Sequence, residues 1–249
     1  MIKFFRHIRQ RMITENPTSA EAMAGKRVSR YMLYAIGEIA LVMIGILLAL
    51  QVNNWNEARK HQETLKAIYR ITKADLKNDI AEIDAFINEY DEIRKPAFEA
   101  VLKTELTRED WLKNTQYASV LRGYKDFSSN LRGFELLKSQ SDISAEKSLD
   151  SEIILFYNRH NIEIEVGQKE IMEEFSLNVK KLKDYDWFSS FYIQNEMDGV
   201  IDYMINDPTA KNDVALYYVL FNIYVEELRK FKISGEELIA KIDQYTAED

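Results

Sequence analysis

The chain has no cysteine, only three prolines and only eight glycines in 249 residues. Without cysteine there are no disulfides, no thiolate metal sites and no lipid-modified cysteine anchor. The lack is compatible with either side of a bacterial membrane. So few breakers favour helix nearly throughout. Histidine is scarce too: His7, His61 and His160 are the full set. A di-metal site inside a helical bundle needs a pair of Glu-x-x-His motifs, and none occurs. His160 with Glu163 has the reverse order and no second copy, so His160 reads as a satisfied structural or surface histidine. There is no His-Glu-x-x-His, no P-loop, no dinucleotide glycine fingerprint and no Gly-x-Ser-x-Gly. No repeat of about 20–50 residues is present. These absences lead to the expectation of a non-enzyme with no catalytic residues, no cofactor and no bound metal. Glu170, Glu173 and Glu174 read as a solvated helix face. A net charge of −8 argues against nucleic acid as a partner.

One apolar stretch dominates what is present. Tyr31–Val52, YMLYAIGEIALVMIGILLALQV, carries a single charge, Glu38, and one strong polar group near its end, Gln51. At about 1.5 Å per residue such a helix is about 33 Å long, enough for a hydrocarbon core of about 30 Å. It is too long for the apolar core of a cleavable signal peptide, about 7–15 residues, and no A-x-A-like site follows. An uncleaved signal anchor is the better reading. The Tyr31 and Tyr34 rings suit the inner interface, and Asn53, Asn54, Trp55 and Asn56 suit the outer one.

Orientation follows from the flanks. Residues 1–30 hold seven Lys and Arg against two Glu, a net +5, which leaves −13 for the other 219 residues. Arg59, Lys60, Lys66 and Arg70 weaken the local asymmetry just beyond the span. A long domain translocates largely regardless of charge, however, so the short basic tail is placed in the cytoplasm. In a bacterium the C-terminal domain would then be periplasmic and the span would lie in the inner membrane. Within the tail, Ile2, Phe4, Phe5, Ile8, Met12 and Ile13 fall on one half of a helix, with Arg9 breaking the pattern. Lys3, Arg6 and Arg11, with Lys26, Arg27 and Arg30 nearer the span, are expected to contact anionic lipid. The other reading is a disordered positive-inside tail. Asn16–Gly25 reads as a flexible connector.

MIKFFRHIRQ and YAIGEIALVMIGILLALQVNNWNEARK carry a resemblance. They are similar to the signature of a family of uncharacterised Bacteroidota membrane proteins: MIKFFRxIR, then YxxGEIxLVxxGILxALQxNNWNExRK, then a helical domain of unknown function. Phe134–Ser139, FELLKS, resembles a GYExLKSS element of the same family. The likeness is close over about forty residues and loose elsewhere. It implies architecture and location, and no chemistry.

Beyond the span, residues 53–249 read as an all-α bundle. Leu65, Ile68, Thr72, Leu76, Ile80, Ile83, Ile87 and Tyr90 form one stripe at spacings of three or four. No breaker stands between Ala49 and Arg94, so the span is expected to run on into this helix; Pro96 should kink or end it. Thr107 and Asp110 make a weak capping box before Trp111. A second stripe runs through Leu149, Ile153, Phe156, Tyr157, His160, Ile164, Ile171, Phe175 and Leu182. A third helix starts near Asp207-Pro208, with Tyr217, Leu220, Phe221, Tyr224, Leu228 and Phe231 on its stripe. Ser234 with Glu237 predicts a separate short last helix ending near Tyr245. The domains expected are therefore a basic tail (1–30), a transmembrane helix (31–52) and a periplasmic helical bundle (53–249).

Glu38 has the sharpest functional reading. An ionisable group inside a span is costly and marks a functional position. Glu38, Val42, Gly45 and Ala49 share one helix face, and Gly45 and Ala49 form a small-xxx-small pair that lets backbones approach closely. The alternative is that Glu38 snorkels to the inner surface. The function expected is a membrane-anchored helical scaffold, sensor or assembly subunit. Its partners would be the lipid bilayer and, through the span, a second copy or another membrane protein. The competing reading is a stator-like component of a proton-driven complex that uses Glu38.

Overall fold

The computed structural model describes residues 22–140 and 148–247, with side chains from residue 32 onward. The expected amphipathic helix of the tail, with Lys3, Arg6 and Arg11, lies outside the described residues. Lys26, Arg27, Arg30 and Tyr31 fall within a helix, but their side chains lie outside the description. Every regular element among the described residues is helical.

Helix α1 runs without a break over Ala22–Glu89, through the Asn-Asn-Trp-Asn run at residues 53–56. It begins inside the stretch read as a connector: Ala22, Met23 and Ala24 are good helix formers, and Gly25 alone does not interrupt it. A π-turn follows at Tyr90–Arg94, then α2 at Lys95–Lys103. Pro96 thus does not end the helical run: it is the second residue of α2, in the first turn after the π-turn. Proline has no N–H, and its ring clashes with the carbonyl four residues back. The wider π-turn just before it, where the Lys95 N–H donates to the Tyr90 carbonyl five residues back, accommodates both defects.

Short elements come next: α3 at Arg108–Lys113, a 3₁₀ helix at Thr115–Leu121 and α4 at Arg132–Gln140. The Thr107–Asp110 capping box forms in both directions. Helix α5 spans Leu149–Leu182, with Ser148 accepting from the Ser151 N–H at its start. Then follow α6 at Phe188–Gln194, α7 at Asp198–Asn206 and α8 at Ala210–Ala247. Pro208 stands just ahead of α8, where the Asp207 carboxylate accepts from the N–H and hydroxyl of Thr209 at 2.8 and 2.7 Å.

The expected break at Ser234 is absent: α8 is one helix of 38 residues. A cap needs a residue outside the helix, but the apolar stripe passes Ser234 in unbroken phase. Phe231, Gly235, Leu238 and Ile242 are all buried. Packing of that stripe overrides the local capping preference of Ser234.

Two compact units result, Met1–Gln62 and Glu63–Asp249. The second is built on three long helices: the Glu63–Glu89 part of α1, α5 and α8. Helices α5 and α8 run antiparallel, as the pairs Phe156–Phe231 at 4.9 Å, Phe175–Tyr217 at 6.1 Å and Lys181–Asp213 at 2.5 Å show. Helix α1 is antiparallel to α8 as well, with Tyr69 against Tyr245 at 5.1 Å and Phe86 against Phe221 at 6.1 Å. So α1 and α5 are parallel, and the segment of short helices between them is the crossover this topology requires.

Helix α4 docks at very close range. A Cβ on Gly133 would lie 2.6 Å from both the Cα and the N of Thr72 in α1. Backbone cannot yield as a side-chain tip can, so Gly133→Ala should lower stability by about 2–3 kcal/mol. At Gly235 the nearest atom is the Ile80 Cδ1 at 3.3 Å, a flexible tip. There Gly→Ala should stay within about 1 kcal/mol of the parent, because helix propensity offsets the contact. Thermal unfolding of the two variants, followed by circular dichroism, checks the contrast.

Candidate functional site

The first candidate is the span itself. Glu38, Val42, Gly45 and Ala49 do share one face of α1, and all four are exposed. Apart from chain neighbours and the helix's own nearby backbone, nothing among the described residues lies within 4 Å of a Cβ built on Gly45 or Gly37. From Met32 to Val52 the large apolar side chains are 39% to 70% exposed, with Tyr34 the least exposed. Half-exposing that many large side chains to water costs on the order of 20 kcal/mol, more than the roughly 5–15 kcal/mol net stability of a domain. This surface therefore needs a cover. Among the described residues α1 is the one helix long and apolar enough to cross a membrane. Just past it Trp55 is 67% exposed, and Arg59 lies over its ring at 5.7 Å.

Sequence reasoning missed two polar groups inside the second unit. The first is Asp79, fully buried on α1 between Leu76 and Ile83. Its carboxylate accepts from the Asn130 backbone N–H at 3.0 Å and from the Asn130 side-chain amide at 2.5 Å. One turn earlier, Asp75 accepts from the Gly133 N–H at 2.7 Å. The two carboxylates thus satisfy backbone donors at the start of α4, where a helix leaves N–H groups unpaired. Burial pushes the Asp79 carboxyl up to about 6. The Asn130 hydrogen bonds oppose this, and the charges of Asp75 and Glu82 add to it. From α5, the buried Tyr157 phenol faces the same carboxylates, whose charges reinforce the upward push that burial gives it.

The second is Arg94, the last residue of the π-turn and only 7% exposed. Its Nη2 donates to the carbonyl of Arg122 at 3.3 Å and to that of Gly123. Nearby, Tyr192 donates to the Leu121 carbonyl at 2.7 Å, and Tyr217 donates to that of Arg122 at 3.2 Å. These three carbonyls end the 3₁₀ helix and have no helical partner, so the cluster is how that end is paid for in hydrogen bonds. The guanidinium lies over the Phe221 ring at 5.1 Å. Burial pushes the Tyr217 phenol up, and the neighbouring Arg94 opposes it. Beside this cluster opens a cleft of about 330 Å³, lined by Phe86, Glu89, Tyr90, Tyr124, Lys125 and Phe221 along with Arg94 and Gly123.

His160 differs in detail from its expected role. It is buried against Phe156 at 4.8 Å and Phe231 at 5.7 Å, but its Nδ1 makes no hydrogen bond and stands 4.0 Å from the Glu163 carboxylate. Burial lowers its pKa, Glu163 opposing, so it serves as neutral packing. His61 is exposed. Among the described residues no cluster of three or more His, Asp or Glu could hold a metal ion.

The fold is thus that of an all-helical protein with one candidate membrane-spanning helix. A family of unknown function (DUF6090) matches residues 38–122. The matched segment starts at Glu38 and takes in the rest of the span, Asp79, the π-turn with Arg94, and the 3₁₀ helix. It stops short of Phe134–Ser139. No curated protein and no solved structure matches the chain.

Asp79 makes stability depend on pH. The folded protein keeps its proton up to about pH 6, the unfolded chain only to about 3.9. The contribution is therefore fully present below about pH 4. It is lost as pH rises to about 6, by on the order of 2–3 kcal/mol. Asp79→Asn keeps an acceptor for Asn130 and cannot ionise. Its stability relative to the parent should rise between pH 4.5 and 7.5, measured by denaturant unfolding at both values. Equal differences at the two pH values would show that Asp79 does not titrate in this window.

Proposed function

We propose that this is a single-pass inner-membrane protein whose helical domain, residues 53–249, acts outside the cytoplasm as a non-enzymatic scaffold, sensor or assembly subunit. The observation that carries this reading is the uncovered apolar length of Met32–Val52. The +5 balance of residues 1–30 supports a cytoplasmic N-terminus and a periplasmic C-terminal domain. Alkaline phosphatase fused after Asp249 should be active in whole cells, and a green fluorescent protein at the same site dark. The opposite pair of results reverses the topology.

Association runs through the face of Glu38, Val42, Gly45 and Ala49. A carboxyl facing lipid is penalised, whereas the same group against a second helix gains a hydrogen-bond partner, and Gly45 and Ala49 allow the close approach. The partner is a second copy of the chain or another membrane protein. Glu38→Leu combined with Gly45→Leu should reduce the assembled fraction in native gels or mass photometry of the detergent-solubilised protein. A double variant that migrates like the parent removes the interface. Glu38 also supports the reading of a proton-driven, stator-like subunit. Under it, Glu38→Gln should abolish function and leave the complex intact.

A further inference from the structure

We infer that the cleft beside Arg94 binds a small organic carboxylate with an aromatic or aliphatic body. This deepens the sensor reading, but it rests on the Glu63–Asp249 unit alone and survives if the span proves not to associate.

The argument begins with an unbalanced charge. Arg94 is buried, and among the described residues no carboxylate pairs with it; its hydrogen-bond acceptors are neutral carbonyls. Its Nη1 is buried and has no hydrogen-bond partner. A buried guanidinium without a counter-charge carries a penalty of several kcal/mol, which an anion relieves. Even two half-exposed cations of the long helices have a counter-charge: Lys232 is paired with Asp84 at 2.5 Å and Lys181 with Asp213 at 2.5 Å. Arg94 departs from this pattern, and it does so at the wall of a cleft.

The cleft's volume of about 330 Å³ falls at the lower end of small-molecule pockets. Phe86 stacks on Phe221 with planes 6° apart, Tyr90 stacks on Phe221 at 7°, and Tyr124 meets Phe221 edge-on at 5.2 Å. Phe86 and Tyr124, both part-exposed, offer apolar surface for a ligand body, and the free Nη1 of the guanidinium offers charge-assisted donors to a carboxylate oxygen. At the rim Lys125 is paired with Glu82 at 2.6 Å, and Glu89 adds negative charge. A bare inorganic anion meets the Arg94 charge but leaves the Phe86 and Tyr124 faces uncovered, so the mixed lining favours an amphipathic monoanion. The π-turn supplies the geometry: it carries both Tyr90 and Arg94, and such turns recur at functional sites.

The test uses the full chain in nanodiscs, with 4-fluorophenylacetate as probe read by fluorine NMR. 4-Fluorobenzyl alcohol is the uncharged control, and inorganic phosphate the bare-anion competitor. The acid should bind in the millimolar range or tighter, and the alcohol at least tenfold more weakly. Arg94→Gln, which keeps a donor for the Gly123 carbonyl, should weaken the acid at least tenfold. Glu89→Gln changes only the exposed rim and should tighten it about two- to fivefold. The inference is overturned if the parent does not bind the acid, if acid and alcohol bind alike, or if phosphate displaces the acid at equal concentration. It is also overturned if Glu89→Gln leaves the affinity unchanged. Should Arg94→Gln fail to fold, the acid–alcohol comparison and the Glu89 variant still decide.

Discussion

The second unit depends on the burial of one aromatic layer around Phe221. This ring, fully buried on α8, meets Phe86 and Tyr90 from α1 and the π-turn, Phe98 from α2, Tyr124 from the crossover and Tyr217 one turn away on its own helix. Four separate stretches of chain thus converge on one side chain. Each ring brings a large apolar area together with a preferred edge or face geometry, which restricts the angles at which helices can meet. Take this layer away and the crossover loses the anchor at Tyr124, keeping only the docking of α4 on α1 and the contacts of its other elements.

The two units solve one problem in opposite ways. In Glu63–Asp249 the apolar stripes face one another, and inside them Thr72 and Asp79 are matched to a backbone acceptor and a backbone donor. Along Met32–Val52 the large apolar side chains are all exposed, and among the described residues none of them is buried against protein. The same helix-forming chemistry therefore demands two different solvents within a single chain, and the membrane reading proposed above supplies the second.

Much of this was legible because helical periodicity is a strong signal over long distances. The stripes of α1 and α5 and most of that of α8 could be written down from spacing alone, and the start of α5 falls at Leu149 as the pattern requires. Local signals misled where a long-range stripe overruled them. Ser234 looks like a cap only while one ignores Phe231, Gly235 and Leu238. Short elements such as α6 and α7 have too few turns for periodicity to register. The polar groups of the interior left a fainter trace. Asp79 stands between Leu76 and Ile83, and Arg94 between Tyr90 and Phe98, each at a position where the stripe calls for an apolar side chain. A charge on a stripe was the available signal. What the sequence could not supply was the partner, since Asn130, Arg122 and Gly123 lie in irregular segments that no periodic pattern locates.

The π-turn gives the chain a tolerance in length that it has nowhere else along this helix. Losing one residue from an α-helix rotates everything downstream by about 100°, which would carry Phe98 and Val101 away from the core they occupy. A π-turn already holds one residue more than an α-turn for the same rotation. A single deletion within Tyr90–Arg94 can therefore relax to plain helix and leave α2 facing the bundle as before. Tyr90–Arg94 is thus where an indel between relatives could pass without cost to the core, while altering the spacing of the two residues, Tyr90 and Arg94, that frame the cleft.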